Sequence, residues 1–326
     1  MDAPDTPAPG RPQIVTLTMN PALDITTSVD VVRATEKLRC ETPRYDPGGG
    51  GINVARVAHV LGGSVSAVFP AGGASGGLLT SLLDDERVSY RQITISAATR
   101  ESLTVNENST GQQYRFVLPG PRLTFTEQAQ CLDELRRAAD SAEFVVASGS
   151  LPPGVPADYY QRVADSCQRL GARFILDTSG GGLQHVSSGV YLLKASAREL
   201  RECVGRPLVT ESEQFAAARE LIEKGCAQSV LVSLGSHGAL LVTPSVSQRY
   251  SAIPMRSGSG VGAGDAMVAA ITIGFSRGWP LEKSVRLGIA AGAAMLMTPG
   301  TAVCERADVE KLFALAQEPC DVMVYD

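Results

Sequence analysis

The chain has 326 residues, enough for one large core or two smaller domains. With 44% hydrophobic residues, 19% charged residues and a formal charge of −5, it is ordinary for a globular protein. No basic stripe suits nucleic acid, and no apolar run reaches the roughly 20 residues of a membrane helix.

The first dozen residues, MDAPDTPAPGRP, are Pro-rich and lack the basic start and apolar middle of a signal peptide, so a disordered lead-in over 1–12 and a cytoplasmic location are expected. Seven scattered cysteines form no CxxC, and only three histidines are present; this argues against zinc and suits reduced thiols. Short apolar strands are predicted at 13–19, 65–71, 143–149, 173–179, 190–196 and 229–235. Helical patterns fall between them at 52–62, 75–85, 126–141, 156–171 and 211–225, and Gly-led helices follow residue 260. That alternation predicts an α/β fold with a mostly parallel sheet covered on both faces. Two regions break the rhythm. Residues 20–46 are polar and extended, and 100–120 alternate about a Ser-Thr-Gly turn, which predicts a hairpin. Together they are expected to form a small sheet over the C-terminal edge of the large one, where open α/β folds bind ligands.

The stretch VGAGDAMVAA (261–270) runs from glycine-rich chain into an apolar helix expected to start near Gly264. Amides in a first helical turn have no partner within the helix, and glycine lets that backbone approach an anion. Asp265 has two readings here: a helix cap, or a base that takes a proton from a hydroxyl while the amides hold a moving phosphoryl group. There is no Walker A pattern and no GxGxxG, which disfavours a P-loop or dinucleotide fold. A second patch, PGGGGINVARVAHVLGG (47–63), leads into a helix with Asn53 in its first turns. Its amide suits a sugar hydroxyl, or the patch serves only capping and tight packing. Asp24, in TMNPALDIT (18–26), follows a strand end; it accepts from substrate hydroxyls or simply makes a turn.

Together with SGSLPPG (148–154) and VSLGSHGAL (232–240), these stretches resemble the PfkB carbohydrate kinase family, and the likeness runs from about residue 14 to 310. The resemblance implies a ribokinase-like three-layer α/β/α domain over 13–326, with a β-sheet lid from about 20–46 and 100–120. Within the family the chain is most similar to the minor 6-phosphofructokinase branch. Relatives acting on fructose 1-phosphate or tagatose 6-phosphate usually carry GGKGIN, and this chain has Gly50 where their lysine stands. The implied activity is ATP-dependent phosphorylation of the C1 hydroxyl of fructose 6-phosphate. Those two other hexose phosphates are alternative substrates, and a catalytically weak regulatory protein that binds sugar phosphate and nucleotide is an alternative of another class.

The resemblance also implies roles. Asp265 is the base, with Gly262, Ala263, Gly264 and the Asp265 amide as the anion hole. Asp24, Gly49, Gly50 and Asn53 lie on the sugar, joined by Ser148 and Ser150, while Lys37 and Arg100 hold its phosphate. Lys194, Ser196, Arg198, Ser233, Gly235 and Gly238 serve ATP, together with Gly262 and Gly264. Magnesium is implied with the nucleotide, and TPGTAVC (298–304) resembles a loop that binds a monovalent cation such as K⁺. One departure stands out. Where the family has N-x-x-E, the chain reads Ser196, Ala197, Arg198, Glu199. Ser196 and Glu199 are therefore expected to hold magnesium mainly through water. Alternating Val105, Tyr114, Phe116 and Leu118 on the lid predict a homodimer through that sheet.

Overall fold

Near-continuous apolar strands are stable where both faces of a sheet are covered. The computed structural model, which describes residues 12–255 and 260–322, has such a sheet. The lead-in over 1–12 lies, but for Pro12, outside the described residues, as do Ser257, Gly258 and Ser259. In chain order the strands are β1 (Ile14–Leu17), β2 (Ala22–Val29), β3 (Arg44–Gly48), β4 (Val65–Ala71), β5 (Tyr90–Thr94), β6 (Arg100–Glu107), β7 (Gln113–Val117), β8 (Phe144–Ser148), β9 (Arg173–Asp177), β10 (Val190–Ser196), β11 (Ala227–Ser233), β12 (Ala239–Val242), β13 (Ser247–Tyr250) and β14 (Cys320–Asp321). The helices are α1 (Gly50–Val60), α2 (Gly73–Asp85), α3 (Phe125–Ala139), α4 (Tyr159–Leu170), α5 (Gly181–Gln184), α6 (Ala197–Val204), α7 (Glu211–Glu223), α8 (Ala263–Ser276), α9 (Leu281–Met295) and α10 (Arg306–Phe313).

The large sheet runs β14-β13-β12-β11-β10-β9-β8-β1-β4-β5. From β5 to β11 every pairing is parallel; the β12, β13 and β14 edge is antiparallel. The alternation of side chains splits the core in two. Phe144 and Val146 pack on the face of α1, α8 and α9, whereas Val145 and Ala147 pack on the face of α3 and α4. All six predicted strands are present. The short strands β12 and β13 and the polar edge strand β5 carry too little pattern to be seen in advance.

The second sheet has the order β3-β2-β6-β7. The expected hairpin is β6 and β7, antiparallel with Leu103 opposite Phe116. The 20–46 segment supplies β2, which lies parallel to β6, and the start of β3. The fold is thus the expected layered α/β core with a small second sheet.

Helices α8 and α9 cross closely because glycines open the contact. A Cβ built at Gly288 would lie 2.7 Å from Ile271 Cγ1 and 2.9 Å from the Met267 carbonyl oxygen. Overpacking of this kind costs about 1–3 kcal/mol, so Gly288→Val should lower the urea unfolding free energy by that amount. An unchanged midpoint would show that the crossing can relax.

Candidate active site

The C-terminal ends of β8, β9 and β10 meet the N-termini of α1 and α8 around a cavity of about 270 Å³. It is lined by Gly50, Ser148, Asp177, Lys194, Glu199 and Asp265, among others. Gly262 caps α8 in the left-handed conformation, φ 75°, and Ala266 N donates to its carbonyl at 2.8 Å. The amides of Gly264 and Asp265 fall in the first turn, where the helix offers them no carbonyl. Anion binding at this spot needs only those amides and the helix dipole.

Asp265 does not cap the helix with its side chain. Its Oδ2 accepts from Asn53 Nδ2 at 2.9 Å, and its Oδ1 accepts from Ser148 Oγ at 3.0 Å. Of the two readings of this residue, the cap is thereby removed. Burial raises its pKa to about 6, with Asp177 adding to the shift and Asn53, Lys194 and Ser148 opposing it. Asn53 and Ser148, expected on the sugar, thus also orient this carboxylate. Asn53 Oδ1 is buried without a partner and remains available as an acceptor.

The glycines before α1 have steric reasons to be there. Gly49 has φ 108°, and a Cβ on it would meet Thr18 Cγ2 at 2.7 Å. A Cβ on Gly50 would meet Ser148 Oγ at 2.2 Å and the Gly149 nitrogen at 2.7 Å. Any side chain at Gly50 would therefore push on the hydroxyl that holds Asp265.

Asp177 was not foreseen as a site residue. It ends β9 beside Lys194 on β10, in register, and Lys194 Nζ donates to its two oxygens at 2.9 and 3.2 Å. Burial raises the Asp177 pKa against the pull of Lys194. Burial lowers that of Lys194, but Asp177, Glu199 and Asp265 outweigh it and hold the amine above its ordinary value. A Cβ on Gly264 would lie 2.8 Å from Lys194 Nζ, so this ammonium sits against the helix start. The clue was a carboxylate at the C-terminal end of a buried parallel strand.

Lys194 also lines a larger cavity of about 660 Å³, with Ser196, Ser233, Gly235, Gly238 and Gly264. Ile253, Met255, Met267, Ile289 and Leu296 form its apolar wall. Gly238, φ 97°, passes so close to β13 that a Cβ would overlap the Tyr250 carbonyl.

Four expected residues make other contacts or lie outside the two cavities. Ser196 is the N-cap of α6: its Oγ donates to Glu199 Oε2 at 2.8 Å and accepts from Glu199 N at 3.2 Å. Its hydroxyl donates and accepts within a capping box. Arg198 is exposed and pairs with Glu202 at 3.2 Å, on a groove beside the larger cavity. Lys37 is exposed between β2 and β3 and lines neither cavity. Ser150 is exposed, and its Oγ accepts from Asn20 Nδ2 at 3.3 Å.

At the second sheet, Asp24 lies under Gly48, whose Cβ would meet Asp24 Oδ2 at 2.3 Å. Burial raises its pKa to about 6, and Arg100 and Arg115 pull the other way. Arg100 donates to the carbonyls of Asn20 at 3.0 Å and Leu118 at 3.2 Å. Among the described residues no group of three or more His, Cys, Asp or Glu converges as a metal site, and no helix is long and apolar enough to cross a membrane.

The chain is similar to the ATP-dependent 6-phosphofructokinase isozyme 2 of Mycobacterium tuberculosis, 72% identical over 313 residues that cover 96% of this chain and 92% of that one. Among solved structures it superimposes on phosphofructokinase-2 from Escherichia coli in complex with potassium, with a TM-score of 0.89 and 40% identity. It also superimposes on the same enzyme in complex with fructose-6-phosphate, with a TM-score of 0.87 and 39% identity. Each comparison covers 93% of this chain and 99% of the other. The family model described as pfkB family carbohydrate kinase matches residues 17–308, which hold both glycine-rich turns and every strand of the site: the chain belongs to the pfkB family of carbohydrate kinases.

Proposed function

We propose that the chain is an ATP-dependent 6-phosphofructokinase that moves the γ-phosphoryl group of ATP to the C1 hydroxyl of fructose 6-phosphate. The observation that carries this reading is Asp265, held by Asn53 and Ser148 at the first turn of α8 with Lys194 beside it. The naming of the 72% identical relative supports the choice of sugar. So does Gly50, because a lysine there would displace Ser148.

Asp265 accepts the hydroxyl proton as the C1 oxygen bonds to phosphorus and the bond to the ADP oxygen breaks. The Gly264 and Asp265 amides, with Gly262 and Ala263 shaping the turn, face the equatorial oxygens. Lys194, shared by both cavities and steadied by Asp177, supplies positive charge along the transfer path. Asp24 and Asn53 Oδ1 accept from sugar hydroxyls, and Arg100 and Arg115 provide the positive charge near Asp24. Ser233, Gly235 and Gly238 border the nucleotide in the larger cavity.

Magnesium accompanies the nucleotide and neutralises its phosphates. Glu199 fits an ion held mainly through water: it lines the smaller cavity, one oxygen lies in the capping box, and Asp177 is occupied by Lys194. Ser196 then acts on the ion through Glu199. This gives the serine a role compatible with turnover, which weakens the case for a merely regulatory protein. A K⁺ requirement through the 298–304 loop is part of the proposal. We place the reaction in the cytoplasm, where ATP and phosphorylated hexoses are made, on a kinase domain spanning 13–326.

The second sheet is the lid and the dimer contact. Tyr45, Ile25, Leu103 and Phe116 stand opposite one another across all four strands. Phe116 is 54% exposed, and Tyr45 and Leu103 are also exposed; Val105 is buried, so the apolar stripe is narrower than the alternation suggested. A row of this kind needs a partner, and a second copy supplies the same row.

Three outcomes test these assignments. Asp265 must be ionised to act, so the native rate should be full above pH 6 and fall as pH drops through about 6. Asn53→Ala removes a bond to the ionised form and should move that fall to higher pH, while Asp265→Asn should cost roughly a hundred- to ten-thousandfold in kcat. A near-native Asp265→Asn rate would end the assignment. Ser196→Ala should raise the magnesium concentration for half-maximal rate by about ten- to a hundredfold, since it frees Glu199; an unmoved magnesium curve would detach Ser196 from the ion. Leu103→Asp with Phe116→Asp should convert a dimer to a monomer in sedimentation velocity, and a dimer that survives both changes lies elsewhere.

A further inference from the structure

Arg56 is among the largest fully buried side chains in the described protein, at 2% exposure, and the mechanism does not use it. It lies on α1, three residues beyond Asn53 and so one turn away. Its guanidinium reaches three separate segments. Nε donates to Glu86 Oε2 at 2.6 Å and Nη2 donates to Glu86 Oε1, just past α2. Nη1 donates to the Pro47 carbonyl at 3.0 Å, on lid strand β3, and to the Thr301 carbonyl at 3.1 Å, in the loop after α9. Nη2 lies 3.7 Å from Asp46 Oδ1, also on β3.

Asp46 completes the link. It is 2% exposed, accepts from Arg44 at 2.9 Å and accepts from Thr301 Oγ1 at 3.1 Å. Two cations, Arg44 and Arg56, thus face two carboxylates, Asp46 and Glu86, and nothing in the group calls for an outside ion. The Thr301 loop touches the lid a second time: a Cβ on Gly300 would lie 2.9 Å from Thr26 Oγ1 on β2. On its other side this loop borders the phosphoryl cradle. Thr301 and Arg56 share a small void with Asn53, Gly262 and Met295, and a Cβ on Gly262 would meet Met295 Cε at 3.0 Å. The base of the lid, the helix that carries Asn53 and the turn that caps α8 are therefore joined through one guanidinium and one threonine.

We propose that Arg56 is a positioning residue that, with Asp46 and Thr301, couples the sugar-bearing lid to the phosphoryl cradle, so that filling one site changes affinity at the other. The proposal rests on the kinase reading above, and it assigns Arg56 no contact with substrate. Lid strand β3 and the α8 cap each have their own contacts, but the shared buried bonds are the ones a displacement of either would strain. A buried charge cannot be left unpaired cheaply, so the group moves together or not at all.

The test is a calorimetric titration of the full-length protein with adenylyl imidodiphosphate and magnesium, with and without saturating fructose 6-phosphate. Coupling between sites is typically about fivefold or more, and the native chain should show at least that change in nucleotide affinity. Thr301→Val keeps the side-chain volume and removes the bond to Asp46; with potassium saturating in every titration, so that any change in the 298–304 loop's hold on the cation does not enter, it should bring the coupling below about twofold. Thr301→Ser, which restores the hydroxyl, should recover the native value. Native coupling in Thr301→Val overturns the proposal, as does absence of coupling in the native chain. An equal loss of affinity with and without sugar also overturns it, because that is general damage to the nucleotide site. If the native chain turns over fructose 1-phosphate or tagatose 6-phosphate instead, the substrate reading fails, and the same titration with that sugar still decides the coupling.

Discussion

A carboxylate that must act as a base cannot be left free at a helix start, where backbone amides would draw it into a cap and hold it as an acceptor. Here Asn53 and Ser148 hold Asp265 from the side, one oxygen each. The rest of the site follows from that pair of bonds. They require α1 to lie against the ends of β1 and β8, and that closeness leaves no room for a Cβ at residues 49, 50 or 51. They also require α8 to start where β8 ends, which the glycine-lined α8–α9 crossing permits. Burial then lifts the pKa toward the working range, and the two donors keep it from rising further.

Features written in local pattern were legible in the sequence. Glycine before an apolar helix marks a close backbone approach, wherever the ligand comes from. Uninterrupted apolar strands mark a doubly covered sheet, and alternation about Ser-Thr-Gly marks the β6–β7 hairpin. Features created by register were not legible. Asp177 and Lys194 are 17 residues apart, and only the pairing of β9 with β10 sets them side by side. Arg56 reads as one polar residue in an amphipathic helix; its partners at 46, 86 and 301 come from three other segments. Lys37 is exposed between β2 and β3, and a charge on such an irregular connection has no pattern that says which way it faces.

Ser196 illustrates how a departure in sequence can be absorbed locally. A serine at a helix start with glutamate three residues on is a capping box, and both reciprocal bonds are present. The same two positions can therefore be read as a weakened metal motif or as a well-formed helix start. Geometry favours the second reading for the serine without removing the glutamate from the cavity. One carboxylate oxygen is fixed, which orients the other and lowers the entropy lost when an ion or its water is bound.

Phosphoryl transfer carries a particular hazard, because water competes with the sugar for the same group. An enzyme that closes over sugar before the cradle is set gains protection only if the two events are linked. The second sheet, the proposed lid, is thin, and its edge strand β3 runs directly into the glycines that start α1. Movement of β3 is therefore transmitted to Asn53 through the chain itself, whereas the α8 cap is reached only through side chains. The buried Arg56, Asp46 and Thr301 contacts bridge that gap where the second sheet, α1 and the loop after α9 come together.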